Sequence, residues 1–205
     1  MTSQSTVGRA NQKLRTRTAI VQAAAELSRT GREVTMPEVA RAALVSEATA
    51  YRYFPDLASL LPEAIAGQLP SAAEALEAVA DSVDPVVRVA AATEFLLRHV
   101  LARQGVVRAM IAATVVKPGA AARPGLRFDL IDHALAPLDG TLGTDDPAAL
   151  TQLKLDLAVV VSAEALFVLI DLQGLDPEDA ITSLVHTATT LARAALRDAS
   201  GTGDT

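Results

Sequence analysis

The stretch TMPEVARAALVSEATAYRYF, residues 35–54, decides the fold. Thr35 and Glu38 have the spacing of a capping box, in which the threonine oxygen accepts from the backbone N–H of Glu38 and the glutamate side chain reaches back. Pro37 fits the first turn of a helix, because its missing N–H would have no partner there. The pattern predicts a short helix over residues 36–43.

A second short helix follows almost at once. Leu44 and Val45 leave room only for a tight turn, and Ser46 is a good N-cap for a helix that runs through Phe54. Two short helices joined by such a turn are the geometry that places the second helix in the major groove of DNA. An ordinary helical hairpin with solvated polar residues fits the same pattern, so the motif alone leaves both interpretations open.

Helical periodicity continues on both sides of this motif. Upstream, apolar residues recur at helical spacing from Ile20 to Leu27, and Gly31 then stops the helix. Downstream, prolines and glycines separate longer helices, of which the last two are expected over about 147–173 and 177–199. No stretch alternates as a strand would. The sequence therefore predicts an all-α chain of about nine helices.

Charge is distributed unevenly along the chain. Residues 1–61 hold eight Lys and Arg against five Asp and Glu, whereas residues 62–205 hold ten against nineteen. A basic end joined to an acidic body indicates that the basic end faces a polyanion. Without cysteine there is neither a disulfide nor a thiolate metal site. The start has no signal-like segment and the most apolar run, 157–170, is too short to span a membrane, so we expect a cytoplasmic protein.

A further pattern extends through the first sixty residues. Its members are Arg17, Ile20, Ala23, Ala24, Gly31, Val34, Thr35, Val39, Ala40, Val45, Ser46, Thr49, Tyr51, Tyr53 and Phe54. This pattern resembles the N-terminal signature of the TetR family of bacterial transcriptional regulators. The resemblance covers roughly residues 15–61, and Ser46-x-x-Thr49-x-Tyr51-x-Tyr53-Phe54 is its most specific part. It implies a DNA-binding regulator, most often a repressor, whose third helix enters the major groove.

The resemblance also implies a set of DNA-contacting residues. The third helix would contact phosphates through Thr49 and Tyr53, and bases or phosphates through Glu47, Ala48, Tyr51 and Arg52. Two arginines of the first helix would approach the DNA backbone, and the two N-cap residues complete the candidates. These four are Arg15, Arg17, Thr35 and Ser46.

Two positions depart from the family pattern. Leu44 stands where the family usually has a glycine in the turn, and Leu57 stands where it usually has a phosphate-binding lysine. The first departure raises the question of the turn geometry. Losing the lysine removes one contact that releases a counterion, which predicts weaker and less salt-dependent DNA binding.

By the same resemblance, the chain divides into a DNA-binding and a sensing part. We expect a helix-turn-helix DNA-binding domain at 11–61 and a helical effector-binding and dimerisation domain at 62–199. The polar, unpatterned ends of the chain predict a disordered tail at 1–10 and a second one at 200–205. The last two helices would form a four-helix bundle with those of a second copy. An alanine-rich stripe is the candidate dimer interface: Leu184, Ala188, Leu191 and Ala195.

The middle helices would hold a small-molecule effector of unknown identity, with no cofactor. The candidate pocket residues are Phe95, His99, Met110, Thr114, Phe128, Glu164 and Phe167. Glu164 lies in a helix that is apolar almost all round, so we expect it to pair with Arg98 or Arg127, or else with a polar ligand group. Asp129 and His133, one helical turn apart, lack a third metal ligand, and we assign no metal.

The predicted function is therefore a dimeric regulator that binds an inverted repeat in double-stranded DNA and responds to an effector. A competing hypothesis is a helical ligand- or protein-interaction module whose helix-turn-helix has lost DNA binding, consistent with Leu44 and Leu57. An all-helical enzyme is less consistent with the sequence, because no acid-base constellation emerges.

Overall fold

A computed structural model of the chain describes residues 3–66, 68–116 and 125–201. Their regular elements are all helices, which confirms the predicted all-α class. The α-helices, numbered along the chain, are α1 Ser3–Ser28, α2 Met36–Ala42, α3 Glu47–Tyr53, α4 Leu57–Ala66, α5 Ala72–Ala75, α6 Pro85–Ala102, α7 Gln104–Val116, α8 Leu126–Leu135, α9 Leu142–Asp145, α10 Pro147–Val160, α11 Ala163–Phe167 and α12 Pro177–Gly201.

The helices exceed the expected nine mainly because several are single turns, such as α5 and α9. Helix α1 begins at Ser3. Residues 3–10 are therefore helical and do not form the disordered tail that the sequence predicted. No proline interrupts the helix there. Helix α12 likewise runs to Gly201. The remaining tail residues, 1–2 and 202–205, lie outside the described part of the chain. The same is true of Pro118, Gly119 and Pro124, which are among the prolines and glycines expected to separate helices.

The chain forms two compact units. Unit 1 consists of Met1–Leu69 and Ala102–Pro124, and unit 2 consists of Pro70–Leu101 and Gly125–Thr205. Helix α7 therefore belongs to the unit that contains α1 to α4, although its sequence lies within the stretch expected to form the second domain. No helix in the described residues is long and apolar enough to cross a membrane.

Unit 1 is built around one hydrophobic core. Helix α1 packs against α2 and α4, α2 packs against α3, and α4 packs against α7. Large side chains of α1, α2, α4 and α7, together with Phe54 just after α3, are almost wholly removed from solvent, and each stabilises the fold by about 1.5 to 3 kcal/mol. They include Ile20, Val39, Phe54, Leu60, Leu61 and Val106.

Unit 2 contains a buried arginine. Arg88, on α6, is 5% exposed, and its guanidinium donates hydrogen bonds to backbone carbonyls of residues 79–82 and of the last turn of α8. Its nitrogens lie 2.7–3.4 Å from the carbonyl oxygens of Val79, Ala80, Ser82, His133 and Ala134. A helix C-terminus is the negative end of the helix dipole, so these carbonyls compensate the buried charge.

The helix expected over 147–173 is interrupted, which corrects the prediction. Helix α10 ends at Val160, Val161 adopts φ −79° and ψ 67°, and the Ser162 side chain then caps α11. Three consecutive β-branched valines, residues 159–161, and a serine with cap-forming ability favour the break. A π-helical turn, Val168–Leu172, follows α11.

Candidate nucleic-acid interface

The predicted capping box opens α2. The Thr35 hydroxyl accepts from the backbone N–H of Glu38 at 3.4 Å. In return, the Glu38 carboxylate accepts from the Thr35 hydroxyl at 2.8 Å and from the Thr35 backbone N–H at 3.1 Å. These two bonds, the hydroxyl first, lower the pKa of Glu38. The box fixes where α2 begins and therefore where the following turn lies.

The turn between α2 and α3 is a Schellman motif. The N–H of Val45 donates to the carbonyl of Ala40 at 2.9 Å, and the N–H of Leu44 donates to that of Arg41 at 3.2 Å. The motif requires a left-handed residue at the position of Leu44, which has φ 57° and is 93% exposed. Leucine therefore adopts the backbone conformation that glycine usually supplies, and the turn geometry is retained.

Helix α3 is held by its cap and by two buried residues. Ser46 Oγ accepts from the N–H of Thr49 at 3.2 Å, while Ala50 and Phe54 are buried in the core of unit 1. The opposite face of the helix is exposed to solvent. Its exposed members are Glu47, Ala48, Tyr51 and Arg52, all predicted to contact DNA.

A cleft of about 640 Å³ lies beside α3. Its lining brings together side chains that donate hydrogen bonds: the ammonium of Lys13, the guanidinium of Arg52, and several hydroxyl groups. None of the lining residues is acidic, so the cleft suits an anion such as a phosphate group. The lining residues are Gln12, Lys13, Thr16, Val45, Ser46, Thr49, Arg52 and Tyr53.

Four of the predicted DNA-contacting residues therefore meet in this cleft: Ser46, Thr49, Arg52 and Tyr53. The Arg52 guanidinium carbon also lies 5.7 Å from the centre of the Tyr53 ring, within the range of a cation–π contact. Three residues of α1 in the lining, Gln12, Lys13 and Thr16, were missing from the predicted set. Their spacing places them side by side on one helix surface, and that signal was available in the sequence.

The other predicted DNA-contacting residues lie outside the cleft. Arg15 is exposed on α1. Arg17 forms an ion pair with Glu63 of α4, and its guanidinium carbon lies 5.0 Å from the centre of the Phe54 ring. The Thr35 hydroxyl is occupied by the capping box. Arg17 thus holds α1 against α4, and a DNA contact from it would compete with Glu63.

The candidate effector-pocket residues are distributed over both units. Met110 is buried in the core of unit 1, so it is a packing residue there, and the Thr114 hydroxyl bonds to backbone carbonyls of α7. In unit 2, the Phe95 and His99 rings stack with centres 6.0 Å apart, and Phe167 is buried. Phe128 is 51% exposed beneath the Arg127 guanidinium.

Unit 2 contains a cavity of about 830 Å³ that borders none of these candidates. It lies among α9, α10 and the last turns of α12, and several of its lining residues are alanines. Its wall is apolar in part and carries carboxylates from three segments. The lining residues are Leu138, Thr141, Leu142, Asp145, Asp146, Ala149, Gln152, Leu153, Asp156, Ala194, Ala195, Leu196, Asp198 and Ala199.

Glu164 forms an ion pair with Arg127, with 3.6 Å between the carboxylate oxygen and the guanidinium nitrogen. This is one of the two arginines expected to pair with it; the other, Arg98, pairs with Glu94 and Glu178. The Glu164 side chain is 40% exposed, so the expected deep burial is wrong. The expectation of burial depended on one continuous helix over 147–173. The break at Val161 ends that helix before Glu164.

The alanine-rich stripe of α12 faces inward. Leu184 is 7% exposed and Ala188 is 0% exposed within the single chain, where α12 packs against α10. Leu191 and Ala195 are half-buried. Leu184 and Ala188 therefore form part of the core of unit 2, which corrects their expected place in a dimer interface: periodicity identifies an apolar face but not what covers it.

Comparison with known families supports the sequence resemblance. Residues 20–64 match the family described as bacterial regulatory proteins, tetR family, over the segment that contains α2, α3 and most of α4. Searches of curated proteins and of solved structures gave no significant match. The matched residues form the helix-turn-helix, its Schellman turn and the α3 side of the cleft, whereas Gln12, Lys13 and Thr16 on its α1 side precede the match. Residues 20–64 therefore form a DNA-binding domain of the TetR type, which supports a DNA-binding transcriptional regulator of that family.

Proposed function

We propose that the protein is a ligand-responsive repressor that binds an inverted repeat in double-stranded DNA as a dimer and is released by a small-molecule effector. The observation that carries the proposal is the cleft beside α3. Hydroxyls, an ammonium and a guanidinium line it without any carboxylate, next to an exposed helix face in a matched DNA-binding domain.

In this proposal the two sides of α3 contact different parts of the DNA. Lys13, Thr16 and Thr49 in the cleft bind phosphates and set the position of the protein on the duplex. Arg52 and Tyr51, at the exposed face, reach base edges in the major groove; arginine pairs well with guanine there. Leu57 packs partly into the core of unit 1, so the chain supplies no cation at that position.

A dimer accounts for recognition of an inverted repeat. Two copies related by a two-fold axis present two α3 helices to half-sites about one helical turn apart. Helices α10 and α12 of unit 2 are the proposed interface. Leu155 and Val159 support this proposal, because they are 59% and 73% exposed on α10 and would be covered by a partner.

Unit 2 is the proposed effector-binding part. Its cavity of about 830 Å³ has the size of a small-molecule site. Phe95, His99 and Phe167 do not line this cavity, and their part in effector binding stays a separate prediction. An effector would release DNA only if it bound one conformation of the chain more tightly than the other.

Selection of binding sites from a random duplex library with the purified protein tests this function. We expect a palindromic consensus that the protein binds as a dimer and releases as salt rises. Weak binding without sequence preference would contradict the proposal and favour an interaction module with a degenerate helix-turn-helix. A library of small molecules screened for release of the selected duplex then tests the effector response separately.

A further inference from the structure

Leu44, in the turn between α2 and α3, combines two features that are unfavourable in an isolated chain. Its φ of 57° lies in the left-handed region, where the Cβ of a leucine crowds the following carbonyl oxygen. Its side chain is also 93% exposed, the highest value of any large apolar side chain in the described residues. A glycine would relieve the strain without placing an apolar group in water. A side chain this exposed makes few contacts within the chain, so packing does not account for the leucine.

The turn places Leu44 beside the surface proposed to read DNA. Val45, the next residue, lines the cleft together with Ser46 and Thr49. Glu47, the first residue of α3, follows three positions after Leu44, so their Cα atoms lie at most about 11 Å apart. The major groove is about 12 Å wide, so Leu44 lies within reach of the base pairs that α3 would contact.

From this strained and exposed leucine we infer that Leu44 is a specificity-determining residue that contacts the methyl group of a thymine in the major groove. The inference rests on DNA binding by α3 in the proposed function, and it adds to that function one residue and the base feature that the residue recognises. Strained residues concentrate where a protein binds its ligands, and binding there offsets their cost.

The thymine methyl is the base feature that matches a leucine side chain. In the major groove the bases present hydrogen-bond donors and acceptors, and the C5-methyl of thymine is the apolar exception. Leucine can neither donate nor accept a hydrogen bond, so against any other base edge it would displace water and leave polar groups without partners. Against the methyl, both apolar groups leave water together. Leu44 therefore favours thymine at one position of each half-site.

Replacement of thymine by uracil in the DNA tests this contact, because uracil lacks only the methyl group. Each thymine of the duplex selected by the wild-type protein is replaced in turn by uracil, and affinity is measured for the wild type and for Leu44→Gly. We expect one thymine in each half-site at which the wild type loses about fourfold in affinity, the effect of withdrawing one methyl-sized group from an apolar contact. Leu44→Gly should bind the thymine and uracil duplexes equally there.

Two further variants separate the apolar contact from the backbone strain. Leu44→Met keeps an apolar side chain in the left-handed conformation and should retain the preference for thymine over uracil. Leu44→Asn places a polar residue that tolerates this conformation and should lose the preference. Val83→Ala is the matched control, since Val83 is an apolar residue that is 82% exposed and belongs to unit 2. It should keep the preference of the wild type, and denaturant titration checks that each variant is folded.

The outcomes separate this inference from the proposed function. A wild-type protein that selects no consensus overturns both. A consensus without thymine, equal affinity after every replacement by uracil, or a loss that is as large in Leu44→Gly as in the wild type overturns the role of Leu44 while DNA binding stands. A loss at one thymine that occurs in the wild type and Leu44→Met, and disappears in Leu44→Gly and Leu44→Asn, establishes it.

Discussion

Gly105 lies directly against the backbone of Arg32. A Cβ built on Gly105 would stand 2.7 Å from the backbone nitrogen of Glu33 and closer still to the carbonyl group of Arg32. Only glycine leaves room for this approach. The contact seats the start of α7 on the loop between α1 and α2, and α7 then contributes Val106 and Met110 to the core of the DNA-binding unit.

Replacing Gly105 with alanine should therefore destabilise unit 1. The added methyl meets backbone atoms that cannot rotate away, and overpacking of this kind costs about 1 to 3 kcal/mol. Chemical denaturation measures the loss of stability, and titration with the selected duplex should show weaker binding. Gly125→Ala is the control, since nothing lies within 4 Å of a Cβ at that position. Equal stability of both variants would contradict the close contact.

Leu44→Gly should stabilise the protein by about 1 kcal/mol. Leucine in the left-handed region is strained by roughly this amount, and an exposed leucine loses little burial when it is removed. Ala42→Gly, at an exposed position of α2, is the control and should destabilise by about 0.5 to 1 kcal/mol. Both are measured by denaturant titration. A destabilised Leu44→Gly variant would show that the turn does not adopt the Schellman geometry.

Glu63→Gln should make DNA binding tighter and more salt-dependent. The substitution removes the carboxylate that holds Arg17, so that the guanidinium becomes free to neutralise a phosphate. One further phosphate contact steepens the slope of log K against log salt by about 0.9. Glu26→Gln, an exposed acid further along α1, removes the same charge without releasing Arg17. A slope that changes equally in both variants would show that Arg17 makes no specific contact.

Thr35→Val should raise the pKa of Glu38 toward its ordinary value of 4.5. The Thr35 hydroxyl is the main cause of the lowered pKa, and valine cannot donate. Because the folded pKa is lowered, the stabilisation from the ionised carboxylate is present above pH 4.5 and lost as pH falls through the folded pKa. The variant should lose part of this acid dependence. Carbon NMR titration of the Glu38 carboxyl group checks the direction; an unchanged pKa would show that the hydroxyl bond is absent in solution.

Local signals in the sequence predicted the helix-turn-helix correctly. The capping box at Thr35, the cap at Ser46 and the tight turn between them each depend on residues within a few positions of one another. The structure confirms all three. Leu44 departs from the usual glycine, yet the surrounding hydrogen bonds impose the left-handed conformation on it.

Properties that depend on distant contacts were harder to predict. The stripe at Leu184 and Ala188 is apolar and regular, but α10 of the same chain covers it. Likewise, Met110 has the character of a pocket residue in sequence and lies in the core of unit 1. Periodicity shows that a face is buried and leaves open which element buries it. The spacing of the donors on α1 shows in the sequence that they share one helix surface, but only the structure shows that this surface meets α3 in the cleft.

The affinity of the Arg52→Ala variant for the selected duplex tests the central claim most directly, that α3 and the cleft beside it bind DNA. Arg29→Ala serves as the control, since Arg29 is exposed on the same unit just after the end of α1, about 20 Å along the helix direction from Thr16. We predict that Arg52→Ala loses at least about tenfold in affinity, because a lost base or phosphate contact costs about 1 to 3 kcal/mol. Its free energy of unfolding should equal that of the wild type. Equal affinity of Arg52→Ala, Arg29→Ala and wild type would contradict the account.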